Sequence, residues 1–191
     1  MHPRTKGPTM NKTPQSYTSP AKFFHWSMGI IWIAVWLIGF LAVYFRDTLN
    51  PAHGLTYWHK AFASALLLLL VLRVAWRVAH RPPPMPDQMS ALMQRAAQAG
   101  HLLLYVLALT ALPISGWVWS SIADKPIMVL GIFQLPPLTE PQPDAYDLAK
   151  WIHVTFAWSS VALVLGHIAM ALKHHWVDKD HVLSCMLPKA K

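Results

Sequence analysis

Residues 151–172 read WIHVTFAWSSVALVLGHIAMAL, and this stretch holds no Asp, Glu, Lys or Arg. A helix rises about 1.5 Å per residue, so a stretch of this length crosses the roughly 30 Å hydrocarbon layer of a membrane. Helices on the surface of soluble proteins carry charges on the face that meets water. The stretch therefore predicts a membrane-spanning helix, and it contains two histidines, His153 and His167.

Three further stretches are similarly apolar, with Lys60 as their single charged residue: Phe23–Phe45, Leu55–Leu72 and Gly100–Ile122. With their flanks, the four stretches predict helices at about 21–46, 55–79, 93–121 and 147–176. Pro113 is expected to kink the third helix, which a packed membrane helix tolerates. The predicted fold class is an all-α integral membrane four-helix bundle over residues 21–177, between tails at 1–20 and 178–191.

The composition excludes several classes of protein. Apolar residues make up 54% of the 191 residues and charged residues only 13%, whereas disordered chains have low hydrophobicity. Cys185 is the single cysteine, which excludes a disulfide scaffold, a c-type haem attachment and a cysteine-based zinc site.

The distribution of charge predicts the orientation of the bundle. Most of the 16 basic residues lie in the two tails and in the connection between the second and third stretches. The positive-inside rule then places both termini in the cytoplasm. Anionic membrane lipid is a sufficient partner for the net charge of +8, so no nucleic-acid partner is expected.

The histidines fall at two depths of the predicted bundle. His153 and His167 are fourteen residues apart, which is about 21 Å along a helix axis and about 40° off a common face. The alternating directions of the helices place His59 beside His153 near the outer side. They place His25 and His101 beside His167 near the cytoplasmic side. Intramembrane ionisable residues are costly and mark functional sites.

Two layers of histidine fit two bis-histidine b haems, because each haem iron takes one imidazole from each of two facing helices. Zinc or copper transport fits less well, since the interiors of the stretches hold no carboxylate. An interfacial or hydrogen-bonding role is the alternative for any single histidine at a membrane edge.

Short segments in a fixed order resemble the bacterial cytochrome b561 family, within the superfamily of the cytochrome b subunits of nickel-iron hydrogenases. The resemblance runs from about Tyr17 to Pro188. The matching segments are His25-Trp26, His59, Gly100-His101-Leu102 with Tyr105, Ala111-Leu112-Pro113 with Gly116, Trp151-Ile152-His153, Gly166-His167, His174-His175, and Lys179-Asp180 with Leu183, Met186 and Pro188.

This resemblance implies a cytochrome of the bacterial inner membrane with two b haems. It implies that His25 and His167 ligate the cytoplasmic-side haem and that His59 and His153 ligate the outer haem. His101 would lie near the inner haem without ligating it. Two positions depart from the family pattern: Gln98 replaces a histidine found in some members, and Cys185 stands where relatives are often basic.

Short members of the family are similar to superoxide oxidase, which implies oxidation of superoxide to O2 at the outer face and reduction of ubiquinone. Lys60 and Lys150 lie close to the outer ligands and are candidates for attracting the superoxide anion, with headgroup anchoring as the alternative. His174 is the candidate quinone-site residue, and Lys22 and His175 are the next choices.

The alternative function is an electron-transfer membrane anchor for a dehydrogenase or hydrogenase partner. The outer connection, Ala123–Lys150, would be its docking surface, and the apolar run Ile127–Leu135 within it is expected to fold over the outer mouth. A haem-free transporter or structural membrane protein is a third reading.

Overall fold

The computed structural model describes residues 16–85 and 89–188. Within these ranges the chain forms four helices that are long and apolar enough to cross a membrane, which confirms the predicted helical membrane architecture. We refer to them in chain order as the first to fourth spans: Ser19–Tyr44, Gly54–Ala79, Ala91–Ile122 and Pro143–Asp178. Two short helices, Arg46–Leu49 and Val182–Met186, follow the first and fourth spans.

The third span changes its winding along its length. It is α-helical over Ala91–Leu103, π-helical over Leu104–Ala111 and α-helical again over Leu112–Ile122. Pro113 lies in the first turn of the last section. Proline has no backbone N–H and its ring crowds the preceding turn, so a widened turn just before it is an expected local response. The kink at Pro113 stays a prediction.

The spans pack around a small buried cluster and leave most of their surface exposed. The cluster consists of Met28, Trp32, Leu66, Leu70 and Ala108. The Trp32 indole Nε1–H donates to the Ala108 carbonyl oxygen at 3.1 Å, which ties the first span to the third. The exposed side chains of the spans are largely apolar, as expected for helices that face lipid.

The segments that flank the first and fourth spans meet at one end of the bundle, which we call the terminal end. The Tyr17 N–H donates to the Cys185 carbonyl oxygen at 3.3 Å. The ammonium of Lys22 donates to Leu187 O at 2.8 Å. The described residues that precede the first span and follow the fourth therefore lie at the same end of the bundle, while the cytoplasmic position of that end remains a prediction.

The opposite end, which we call the loop end, carries a small hairpin. Strands β1 (Met128–Val129) and β2 (Phe133–Gln134) pair antiparallel through a turn with positive φ at Leu130 and Gly131. Val129 is buried, and β1 contacts the second span. The apolar run of the outer connection thus packs on the loop end of the second span.

Candidate functional site

Two clusters of histidine rings lie at the two ends of the bundle. The terminal layer consists of His25, His101 and His167, from the first, third and fourth spans. The centroid of the His167 ring is 6.0 Å from that of His25 and 5.4 Å from that of His101. The loop layer consists of His59 and His153, whose ring centroids are 6.2 Å apart.

The two layers are separated along the fourth span by the fourteen residues between His153 and His167. At 1.5 Å per residue the separation is about 21 Å. The structure therefore brings together, in two groups, the five histidines that the sequence places at two depths.

Hydrogen bonds fix the tautomers of both loop-layer histidines. His59 Nδ1 is 2.8 Å from the Val35 carbonyl oxygen, which only accepts, so Nδ1 carries the proton. His153 Nδ1 is 3.0 Å from Ser115 Oγ, and that hydroxyl already donates its proton to Leu112 O at 2.7 Å. His153 Nδ1–H therefore donates to Ser115. In both rings Nε2 keeps a lone pair for a metal, the usual arrangement of a ligating histidine.

Two glycines make room for these rings. A Cβ added to Gly39 on the first span would lie 2.7 Å from the Cε1 and Nδ1 atoms of His59. A Cβ added to Gly116 on the third span would lie 2.9 Å from Cε1 of His153. Both distances are shorter than any van der Waals contact between carbon atoms, so the positions of both rings require glycine on the neighbouring helix.

Comparison with known proteins identifies the family of the chain. The family model described as Prokaryotic cytochrome b561 matches residues 16–189. The chain is 38% identical over 183 residues to "Cytochrome b561 homolog 2" of Escherichia coli (strain K12), covering 95% of this chain and 96% of the relative. This chain belongs to the prokaryotic cytochrome b561 family. It is therefore a membrane electron-transfer protein of a family that carries haem b.

A more distant relative has a functional name. "Probable superoxide oxidase CybB" of Yersinia pestis is 26% identical over 167 residues, covering 87% of this chain and 93% of the relative. "Cytochrome b561 homolog 1" of Escherichia coli (strain K12) is 36% identical over 110 residues, which is 58% of each chain.

The residues of this cytochrome fit haem iron. Two imidazoles that share one metal through bonds of about 2.0–2.1 Å have ring centroids roughly 6 Å apart. The pairs His59–His153 at 6.2 Å and His25–His167 at 6.0 Å match this separation, and the 5.4 Å of the His101–His167 pair is shorter. The pairing implied by the family resemblance is thus the one that the ring separations favour.

Two buried polar atoms without a hydrogen-bond partner in the protein also fit the presence of a ligand between the spans. In the described ranges, Trp119 Nε1 and Ser160 Oγ are buried with no hydrogen-bond partner. The Trp119 ring lies 5.7 Å from that of His153, and Ser160 lies midway between His153 and His167 in the fourth span. Buried donors are rarely left unpaired in proteins, so these positions are consistent with a ligand that occupies the space between the spans.

Arg73 is a further residue near the terminal layer that was not predicted from the sequence. Its Nε–H donates to the Tyr105 hydroxyl oxygen at 2.8 Å, and its Nη1 lies 4.0 Å from Met28 Sδ. The guanidinium also lies 5.1 Å from the centroid of the Tyr105 ring. A signal existed in the spacing: Arg73 follows His59 by fourteen residues, as His167 follows His153.

The candidate quinone residue His174 is buried and already has partners. Its Nδ1 lies 2.6 Å from an Asp180 carboxylate oxygen and 3.3 Å from one of Asp178, which also pairs with Lys173 at 2.6 Å. Neither aspartate was predicted from the sequence as a partner of His174. Of the other quinone candidates, Lys22 is bonded to Leu187 O and His175 is exposed.

The two candidate superoxide lysines differ in their surroundings. Lys60 Nζ donates to Ser120 Oγ at 3.2 Å and to Pro126 O at 2.8 Å, so it joins the second span to the third span and the outer connection. Lys150 is exposed at the loop end of the fourth span, three residues before His153.

Proposed function

We propose that this cytochrome binds two haem b groups and conducts electrons from the loop end to the terminal end of the bundle. His59 and His153 would hold one haem, and His25 and His167 the other, with His101 beside the second. The observation that carries the proposal is the presence of two histidine pairs with ring centroids close to 6 Å, at two depths about 21 Å apart.

When bound, the haems supply one-electron redox chemistry at two depths of the bundle. The protein contributes binding, orientation and exclusion of water. Val35 O and Ser115 Oγ orient His59 and His153 through their Nδ1–H groups, which also increases the basicity of the Nε2 atoms. The cluster around Met28 and Trp32 closes the bundle between the layers.

We propose superoxide as the electron donor at the loop end. Each superoxide anion would give up one electron and leave as O2, and an exposed Lys150 would raise the local concentration of the anion. Lys60, whose ammonium donates to Ser120 Oγ and Pro126 O, lies at the same end and would add to this field. Support comes from the relative of Yersinia pestis that is named probable superoxide oxidase.

We propose ubiquinone as the acceptor at the terminal end, which the charge distribution orients towards the cytoplasm of a bacterial inner membrane. One ubiquinone takes up two electrons and two protons, so two superoxide anions are needed for each ubiquinol. The buried His174, hydrogen-bonded to Asp180, is a titratable group at this end that would pass protons to the quinone.

The test is a kinetic measurement on the purified chain. We expect a superoxide source to reduce the haems within the mixing time of a stopped-flow instrument, and added ubiquinone to reoxidise them. The His174→Ala variant should be reduced at the normal rate but reoxidised slowly, whereas the His181→Ala variant, changed at an exposed histidine, should behave as wild type. If superoxide does not reduce the haems, the oxidase proposal is refuted, and the result favours an anchor subunit that receives electrons from a dehydrogenase or hydrogenase.

A further inference from the structure

Arg73 lies at the depth of the terminal layer. The second span runs from the loop end to the terminal end, and the fourteen residues from His59 to Arg73 cover about the same 21 Å as the fourteen from His153 to His167. With Arg73, each of the four spans contributes one polar side chain to this depth.

The contacts of Arg73 place its guanidinium beside the ligands of that layer. Met28, which its Nη1 approaches, is one helical turn from His25 in the first span. Tyr105, which accepts from its Nε–H, is one turn from His101 in the third span. The guanidinium therefore lies between the first, second and third spans, near His25 and His101.

The charge of Arg73 has no counter-ion in the described part of the chain. The salt bridges found there join Lys173 and His174 to Asp178 and Asp180 and do not include Arg73. Tyr17 lies nearby at the terminal end, but burial raises the pKa of its phenol above the ordinary value of 10, with Arg77 opposing the shift. Tyr17 therefore stays neutral and gives no negative charge.

An arginine at membrane depth is costly unless it is paired. Its guanidinium offers five N–H donors in a planar fork that matches a carboxylate. The Nε–H is used by Tyr105, and the sulfur of Met28 is a weak acceptor, so strong donors remain for an anion. No anionic side chain of the described residues meets these donors, which leaves them available to a ligand that enters the bundle.

We propose that Arg73 forms a charge-assisted hydrogen bond with a propionate carboxylate of the haem held by His25 and His167. This inference rests on the proposed function, because it needs a haem in the terminal layer. Haem b carries two propionates, and these are the negative groups that the cofactor brings into the bundle. An anionic lipid headgroup offers the same charge, so the experiment must separate the two sources.

The positive charge of Arg73 would also raise the redox potential of the terminal-layer haem. A fixed positive charge next to a haem favours the reduced state, which carries one positive charge fewer. Tyr105 positions the guanidinium by accepting its Nε–H and by stacking under it.

The experiment is a redox titration of the purified holoprotein, followed in the visible spectrum, for wild type and four variants. We expect Arg73→Gln to lower the potential of the terminal-layer haem so that its reduced-to-oxidised ratio falls about tenfold, which is about 59 mV for one electron. Arg73→Lys keeps the charge and should shift less. The loop-layer haem should not move in either variant.

Two controls separate this role from general effects. Arg77→Gln removes an exposed charge one turn further along the same span and should change the terminal-layer potential much less. Tyr105→Phe removes the positioning hydroxyl but keeps the charge, and should give a smaller shift than Arg73→Gln. Equal effects of Arg73→Gln and Tyr105→Phe would mean that Arg73 only supports the fold, which overturns the proposal.

A second arm identifies the source of the carboxylate. Apoprotein is reconstituted with haem b or with its dimethyl ester, whose propionates have no charge. In the terminal layer, wild type should bind the dimethyl ester at least tenfold more weakly than haem b. Arg73→Gln should bind haem b and the ester about equally. If wild type holds both equally well, the anion is not a propionate and the proposal fails in favour of a lipid headgroup.

Failure of the underlying function gives a different result. The terminal-layer haem is identified as the one lost in His167→Ala. If wild type carries no haem that this variant loses, the ligand assignment is wrong and Arg73 has no haem partner at this depth. If that haem is present and its potential does not change in Arg73→Gln, the ligand assignment stands and the Arg73 proposal is wrong.

Discussion

Replacing Gly39 by alanine should detach the haem of the loop layer while leaving the other haem in place. The added Cβ would lie 2.7 Å from two atoms of the His59 ring. The ring must therefore move by roughly 0.8 Å or more to restore an ordinary contact of about 3.5–4.0 Å between carbon atoms. The movement also strains the hydrogen bond from His59 Nδ1–H to Val35 O, which is 2.8 Å long.

The expected loss of haem affinity can be estimated from the contacts that orient histidine ligands at metal sites. Loss of the interactions that orient a ligating histidine typically lowers metal affinity by about 10- to 100-fold. We expect Gly39→Ala to weaken binding of the loop-layer haem by a factor in this range. Gly116→Ala should act similarly on His153, since its added Cβ would lie 2.9 Å from that ring.

The chain offers a matched control in the same span. A Cβ added to Gly29 has no neighbour within 4 Å, so Gly29→Ala should leave both haems bound and stabilise the helix by about 0.5–1 kcal/mol. The assay is haem per chain after extended dialysis in detergent, combined with a redox titration that resolves the two haems. A Gly39→Ala protein that keeps two haems with unchanged potentials would refute the reasoning.

Three further predictions follow from the same geometry. His101→Ala should retain both haems when the haem content per chain is measured, because in the terminal layer the His25–His167 pair has the ring-centroid distance expected of two ligands. Loss of the terminal-layer haem would show instead that His101 is a ligand. Ser115→Ala should leave His153 Nδ1–H without its partner and lower retention of the loop-layer haem about tenfold in the dialysis assay, and unchanged retention would contradict the tautomer assignment. Lys150→Glu should slow haem reduction by superoxide in stopped-flow, by a factor that shrinks as salt is added, and a rate that does not change at low salt would exclude steering by this residue.

The sequence predicts the architecture well, because long uncharged stretches have few solutions in a membrane. Helical rise alone places His153 and His167 at two depths, and alternation of helix direction assigns the other histidines to them. The structure brings these rings together in the same two groups.

What the sequence did not predict depends on how the helices are rotated against one another. Gly39, Gly116 and Ser115 are ordinary small residues of membrane helices until their neighbours are known. Arg73 looked like a loop charge because it falls just after the apolar stretch ends at Leu72. Its spacing from His59 contained the missing information, but only a packed bundle shows which residues its guanidinium meets.

The outer connection shows the same limit. Lys60 looked free to attract an anion, yet the hairpin places the Pro126 carbonyl within 2.8 Å of its Nζ. The conformation of that loop depends on positive φ at Leu130 and Gly131. A leucine with a positive φ is uncommon, so the residue types did not predict the turn.

The most direct test of the account is a haem count for wild type, His59→Ala and His25→Ala, each with a reduced-minus-oxidised spectrum and a redox titration. We expect two b haems per wild-type chain, and we expect each variant to lose the haem of a different redox potential. One haem per wild-type chain, or loss of the same component in both variants, would contradict the two-layer assignment.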